Sequence, residues 1–375
     1  MMKGKKNGWI IPVLVMILAA GSVGGYFAGE SAAASRYQAQ REKEILLIQS
    51  EWEGLGEIEG PIYVTGHKSP DSDTVGSAIA YAAFLRSLGY DAQPVVLGSV
   101  NHETQYILDA AKLDTPPLLE DASGCNIALV DHSEYLQSAD GLEAAHIISI
   151  IDHHGDGTVQ TGNPLIYDAR PLGATATIIW LRYRAVGLLP DQQTALVMMG
   201  AILSDTKNLQ SEATTFADRE ALRELSGIAG ISDTDAFYSE MYKALLSYEG
   251  MTDEEIYFSD YKEYETKGRK YGIACMRAYD EESAKDLADR MKALFPSVLA
   301  STGMDMAFVK ISISHDDLSV AYLMPSNDAA AEVLEAAFGE TAVFDGTSYM
   351  LMPSISRKTV MVPAITDVLK ARPAE

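Results

Sequence analysis

Between Tyr63 and Phe84 the chain reads YVTGHKSPDSDTVGSAIAYAAF. His67, Asp71 and Asp73 fall there within seven residues, between an apolar stub and an apolar run that starts at Val75. Three more clusters follow: ALVDHSE with Asp131 and His132, IIDHHG with Asp152, His153 and His154, and MGAILSDT with Asp205. Four of the seven histidines lie in the first three clusters. A buried carboxylate that keeps its charge is paired or bound to metal. Lys and Arg are scarce around these clusters, so the compensating charge must come from elsewhere, and divalent cations supply it. Carboxylate and imidazole donors without thiolate suit Mn²⁺ or a similar borderline-hard ion. The number of ligands argues for two ions, about 3.5–4 Å apart, with one shared carboxylate. Any one cluster has an ordinary explanation; Asp73 alone reads as a helix N-cap. Four in succession, each ending an apolar strand or set in an apolar helix, do not. His102, His146 and His315 have no such context and read as ordinary residues.

The elements that must hold these residues alternate. IYVTG, AQPVVLG, NIALVD and HIISIID read as strands. VGSAIAYAAFLRSLG, HETQYILDAAKL, GATATIIWLRYRAVG and TALVMMGAILSDT read as helices. Val- and Ile-rich strands separated by helices predict an α/β fold with a parallel sheet covered on both faces. Ligands of such folds sit beyond the carboxyl ends of the strands, where the clusters lie. From the acidic stretch EGMTDEEIYFSDYKEY onward, helices and strands such as MAFVKISIS and LSVAYLMP predict a smaller C-terminal α/β domain.

The 375 residues have room for two domains and carry a formal charge of −24, which argues against nucleic acid as a partner. Cys125 and Cys275, the two cysteines, read as core thiols, and no CxxC is present to hold zinc. Asn7 to Gly29 carries no charge and follows Lys3, Lys5 and Lys6. At ~1.5 Å per residue, residues 8–29 can span a membrane. The basic flank places the domains on the extracytoplasmic side. A cleaved signal peptide ending near SAAAS is the rival reading. The expected organisation is a membrane anchor or signal peptide over 1–35, a helical stalk over 36–57, a catalytic domain over 58–248 and a substrate-binding domain over 249–375.

GHKSPDSD, LVDHSE, IDHH, PLGATATII and AILSD together, with SISRKTVMVP near the C-terminus, resemble the family II, manganese-dependent inorganic pyrophosphatases of the DHH phosphoesterase superfamily. The resemblance runs from about Ile62 to the C-terminus. It implies two Mn²⁺ ions, with Co²⁺ as an alternative and Mg²⁺ accompanying the substrate, and pyrophosphate as substrate. His67, Asp71 and Asp131 would hold one ion, and Asp73, Asp131, His153 and Asp205 the other. His154 and Lys243 would touch phosphate oxygens. Arg357 and Lys358 would bind the outer phosphate from the second domain, and His132 and Asp152 would orient the ligands. A homodimer is compatible with this reading. The chain departs from the family pattern after DHH, where Gly155 stands in place of a basic residue. Two rival readings are a DHH-type phosphoesterase acting on a nucleotide or other small phosphate ester, and an anchored phosphate- or metal-binding protein with little activity.

Overall fold

A computed structural model describes residues 28–315 and 318–372. The chain divides into two compact units, one ending at Leu245 and one beginning at Leu246.

The first unit opens with helix α1 (Ala28–Glu53). It continues as β1 (Ile62–Thr65), α2 (Ser72–Ser87), β2 (Ala92–Pro94), α3 (His102–Ala111), β3 (Asn126–Val130), β4 (His146–Asp152), β5 (Ile166–Ala169), α4 (Thr175–Ala185), α5 (Gln192–Asp205), α6 (Phe216–Ala229) and α7 (Thr234–Leu245). Its five strands are all parallel, in the order β2-β1-β3-β4-β5. Val64, Leu129, Val130, Ile150 and Ile151 are buried in the sheet, which is why these strands read as unbroken apolar runs. Thr65 pairs with Leu129 and Val130 with Ile151, so the segments after β1, β3 and β4 leave the sheet at one edge. β1 lies between β2 and β3, so the chain order reverses there, at the position where open α/β sheets bind ligands. Behind this edge α2 packs on α5 so closely that a Cβ on Gly76 would lie 2.8 Å from the Val197 carbonyl oxygen.

Several expectations need correction. The AQPVVLG strand shrinks to Ala92–Pro94, because Val96 instead bridges Leu118. Helix α2 starts at Ser72 rather than Val75, since Asp71 caps it. Both cysteines are half-buried, not core. The C-terminal end of α1 packs on the first unit: Ile45 and Trp52 are buried, and the Trp52 ring lies 5.2 Å from that of Tyr90 and 6.3 Å from that of Tyr81. The expected membrane span at 8–29 lies almost wholly outside the described residues. Among those, no helix is long and apolar enough to cross a membrane.

The second unit contains α8 (Asp253–Ser259), β6 (Tyr261–Thr266), β7 (Arg269–Arg277), α9 (Glu281–Thr302), β8 (Met306–His315), β9 (Leu318–Pro325), α10 (Asp328–Phe338), β10 (Val343–Phe344), β11 (Tyr349–Leu351) and α11 (Val362–Ala371). Its sheet has the order β10-β11-β9-β8-β7-β6, with only β7 and β8 parallel. Leu287, Met291 and Phe295 of α9 are buried in one apolar cluster; Val333 and Leu334 of α10 and Ile365 of α11 are buried in another.

Candidate metal centre

Each cluster is placed by a different element. Beyond β1, Gly66 runs against Thr74, whose Cγ2 would sit 2.4 Å from a Cβ added there. His67 follows. Asp71 caps α2 and accepts the Thr74 N–H at 2.9 Å. Asp73, in the first turn of α2, does cap a helix, but a different one. It is fully buried and accepts the N–H groups of Thr175 (2.6 Å) and Ala176 (3.0 Å) at the start of α4. The α4 N-cap position is Ala174, which has no side-chain acceptor, so α2 provides one. Asp131 directly follows β3 in the left-handed region, at φ 63°, where a non-glycine residue is strained. Its two carboxylate oxygens accept the hydroxyls of Thr74 (2.7 Å) and Thr175 (3.1 Å).

His153 and Asp205 complete the group. The His153 Nδ1–H donates to the Leu172 carbonyl at 3.1 Å, which leaves Nε2 as the lone-pair nitrogen. That Nε2 is buried without a hydrogen-bond partner, 3.4 Å from oxygens of both Asp131 and Asp205 and 4.0 Å from one of Asp73. His67 Nε2 stands 3.5 Å from oxygens of both Asp71 and Asp131. Three donor groups with the spacing of a metal site result: His67, Asp71 and Asp131; Asp73, Asp131, His153 and Asp205; and Asp131, His153 and His154. Asp131 belongs to all three. An orphaned imidazole nitrogen facing three carboxylates, with oxygen and nitrogen donors only, fits divalent cations of the manganese type.

The electrostatics agree. Burial, then the charges of Asp131 and Asp71, push Asp205 up to about 8. Burial, with Asp131, Asp205 and Asp71 nearby, holds Asp73 well above the carboxylate range. Burial alone would lower His67, but its bonds to Asp131 and Asp71 outweigh that and push it up to about 10. Without metal, the site therefore holds protons where cations belong.

Around this group Asp152 is wholly buried and accepts the backbone N–H and the Nδ1–H of His154, each at 3.0 Å, which orients that imidazole and raises its pKa. The hydrogen bonds of His132 go to the Val130 carbonyl and the Ser138 hydroxyl, not to a carboxylate of the group, although its ring meets that of His67 edge-on at 6.3 Å. Three contributors were missed in the sequence. Thr74 and Thr175 hold Asp131, and buried Glu103 accepts the hydroxyls of Ser72 (3.0 Å) and Ser204 (2.7 Å), tying the start of α2 to the end of α5. Glu103 shows in the sequence only as one more acid on a helix; the threonines stand inside the quoted motifs. A cleft of about 760 Å³ opens over His67, Asp71, His154 and Asp205. Lys243 lies on α7, exposed and outside the lining of this cleft.

Residues 61–202 match the model of the DHH family, N-terminal domain, and residues 239–368 that of the DHHA2 domain. A manganese-dependent inorganic pyrophosphatase of Bacillus subtilis is 36% identical over 82% of this chain and 98% of its own. One from Methanothrix thermoacetophila is 36% identical over the same shares. The chain belongs to the manganese-dependent inorganic pyrophosphatase family. A Methanococcus jannaschii crystal structure assigned to the family II inorganic pyrophosphatases is 33% identical, covering 83% of this chain and all of its own, with a TM-score of 0.51.

In this pyrophosphatase-family chain the DHHA2 match includes Arg357 and Lys358. Arg357 donates to the Asp260 carboxylate (2.6 Å) and the Asp260 carbonyl (2.7 Å), while Lys358 is exposed. Lys310, in the middle of β8, donates to the carbonyl of Ile355 (3.0 Å), two residues before Arg357, and so holds the segment that carries it. A lone lysine within the apolar run MAFVKISIS was the available signal for it.

Proposed function

We propose that the chain hydrolyses inorganic pyrophosphate to two phosphates at the group centred on Asp131. The observation that carries this is that one carboxylate belongs to every donor group while an unpartnered His153 nitrogen faces it. His67, Asp71 and Asp131 are assigned to one divalent ion, and Asp73, Asp131, His153 and Asp205 to a second. When bound, such ions supply positive charge to the phosphoryl oxygens and acidify a water for attack on phosphorus. The protein's own part is positional. The Thr74 and Thr175 hydroxyls and the α4 N-terminus keep Asp131 and Asp73 aimed without neutralising them. Asp152 sets His154 with a protonated Nδ1, so the His154 imidazole can donate to a phosphate oxygen once charged. Arg357 and Lys358 are assigned to the outer phosphate; that assignment, and the one for Lys243, rests on the resemblance. Phosphate release by the full chain, compared with Mn²⁺, Co²⁺ and Mg²⁺, tests the reading: pyrophosphate turned over fastest with Mn²⁺ supports it. Faster turnover of a dinucleotide would favour a phosphoesterase, and metal or phosphate binding without turnover an anchored binding protein.

We further propose that residues 8–29 hold the enzyme to a membrane with its domains extracytoplasmic, from the uncharged run behind Lys3, Lys5 and Lys6. Protease added to intact cells should digest the domains; cleavage only after lysis would reverse the orientation. Recovery of a chain starting near Ser35 would favour the signal peptide.

A further inference from the structure

Pyrophosphate is a compact, multiply charged anion, yet the cleft is lined mainly by carboxylates and imidazoles. Among the described residues Lys68 is the one Lys or Arg in its lining. Lys68 directly follows His67 at the carboxyl end of β1. Its backbone N–H donates to the carbonyl of Gln137, another lining residue, at 2.7 Å. Its ammonium pairs with Asp140 at 2.6 Å, and Asp140 does not line the cleft. These side chains are 47% and 77% exposed, and ion pairs in that setting are weak and readily exchanged. The rim carboxylates have other partners: Glu134 accepts the Thr158 hydroxyl at 2.7 Å and Asp156 the Tyr167 hydroxyl at 2.9 Å. Gly155, on the rim of the cleft, brings no side chain, and no atom lies within 4 Å of a Cβ placed there.

We propose that Lys68 is a substrate-binding residue of this site: its ammonium leaves Asp140 to bind a phosphate oxygen, supplying from the β1 side the cationic side chain that the rest of the cleft lining lacks. Asp140 then acts as a competitor that holds the lysine away from phosphate and lowers its apparent affinity for phosphate. A flexible point charge suits this exchange better than a fork held in one plane. The inference rests on the pyrophosphatase reading.

The test is calorimetric binding of imidodiphosphate to the Mn²⁺-loaded full chain, with KM and kcat for pyrophosphate and metal content measured beside it. Lys68→Gln should weaken binding about tenfold, the scale of one charge-assisted hydrogen bond, and raise KM with both ions retained. Lys68→Arg should restore most of the affinity. Asp140→Asn should tighten binding about two- to fivefold, the scale of a surface ion pair. That gain should vanish in the Lys68→Gln/Asp140→Asn double variant, which a merely structural pair would not produce. Binding unchanged by Lys68→Gln, or an Asp140→Asn effect that persists without Lys68, overturns the inference while leaving the pyrophosphatase reading intact. A wild-type chain that neither binds imidodiphosphate nor hydrolyses pyrophosphate overturns both.

Discussion

Asp131 is the residue common to every candidate donor group among the described residues. It is held at φ 63° and gripped by two threonine hydroxyls, with no Lys or Arg to pair it among the described residues. Asp131→Asn keeps the shape and removes the shared charge, so both ions should be lost after desalting, whereas Asp73→Asn should weaken one more than the other. Elemental analysis of the desalted protein decides, and two ions retained by the Asp131 variant would end its bridging role. Proton linkage gives a second prediction. In the metal-free protein His67, pushed from 6.5 to about 10, and Asp205, pushed from 3.8 to about 8, both hold protons at neutral pH that cations must displace. Metal binding should therefore release protons at pH 7, and affinity should rise with pH. Calorimetry in buffers of different ionisation enthalpy reads this; no proton release would contradict it. The same shifts give the sign for the metal-free fold. Folded chains hold more protons than unfolded ones between 3.8 and 8 for Asp205 and between 6.5 and 10 for His67, so metal-free stability should fall as pH rises through both windows.

At the scale of elements, the strands and helices nearest the site were the legible ones. NIALVD and HIISIID are buried on both faces, and burial writes itself as apolar runs that end where Asp131 and Asp152 begin. β5 was not legible, because Tyr167 and Ala169 of IYDA face outward and leave a four-residue strand without an apolar signature. The role of Asp73 was half legible: a cap was foreseeable, but which helix it caps depends on α2 and α4 meeting across a hundred residues of chain, a tertiary fact. The docking of α1 was likewise hidden, since its one tryptophan stands in a mostly polar helix whose mean hydropathy is low. Trp52 is 2% exposed against Tyr81 and Tyr90. Trp52→Ala should cost about 3–5 kcal/mol of stability, as for other buried aromatic truncations. Thermal denaturation with metal analysis checks this: a large drop with both ions retained is expected, and an unchanged midpoint would mean that α1 does not pack there in solution.

For the whole molecule, the proposed metal ligands and the proposed phosphate-binding arginine fall in different units. The first unit carries every proposed metal ligand, and the second carries Arg357, held by Asp260. Arg357→Ala should then leave the metals in place while removing about 2–4 kcal/mol of transition-state stabilisation, the scale for one preorganised donor. Arg357→Lys should recover only part, because the bidentate fork is gone. Steady-state rates beside metal content separate these outcomes, and an Arg357→Ala enzyme of undiminished rate would remove the second unit's arginine from the reaction. The most direct test of a two-metal pyrophosphatase centred on Asp131 is phosphate release from pyrophosphate by the full chain as Mn²⁺ is titrated in, with bound metal counted in the same samples. Turnover should appear as two ions per chain are filled and be absent from Asp131→Asn. Turnover without bound metal, or undiminished turnover by that variant, would contradict it.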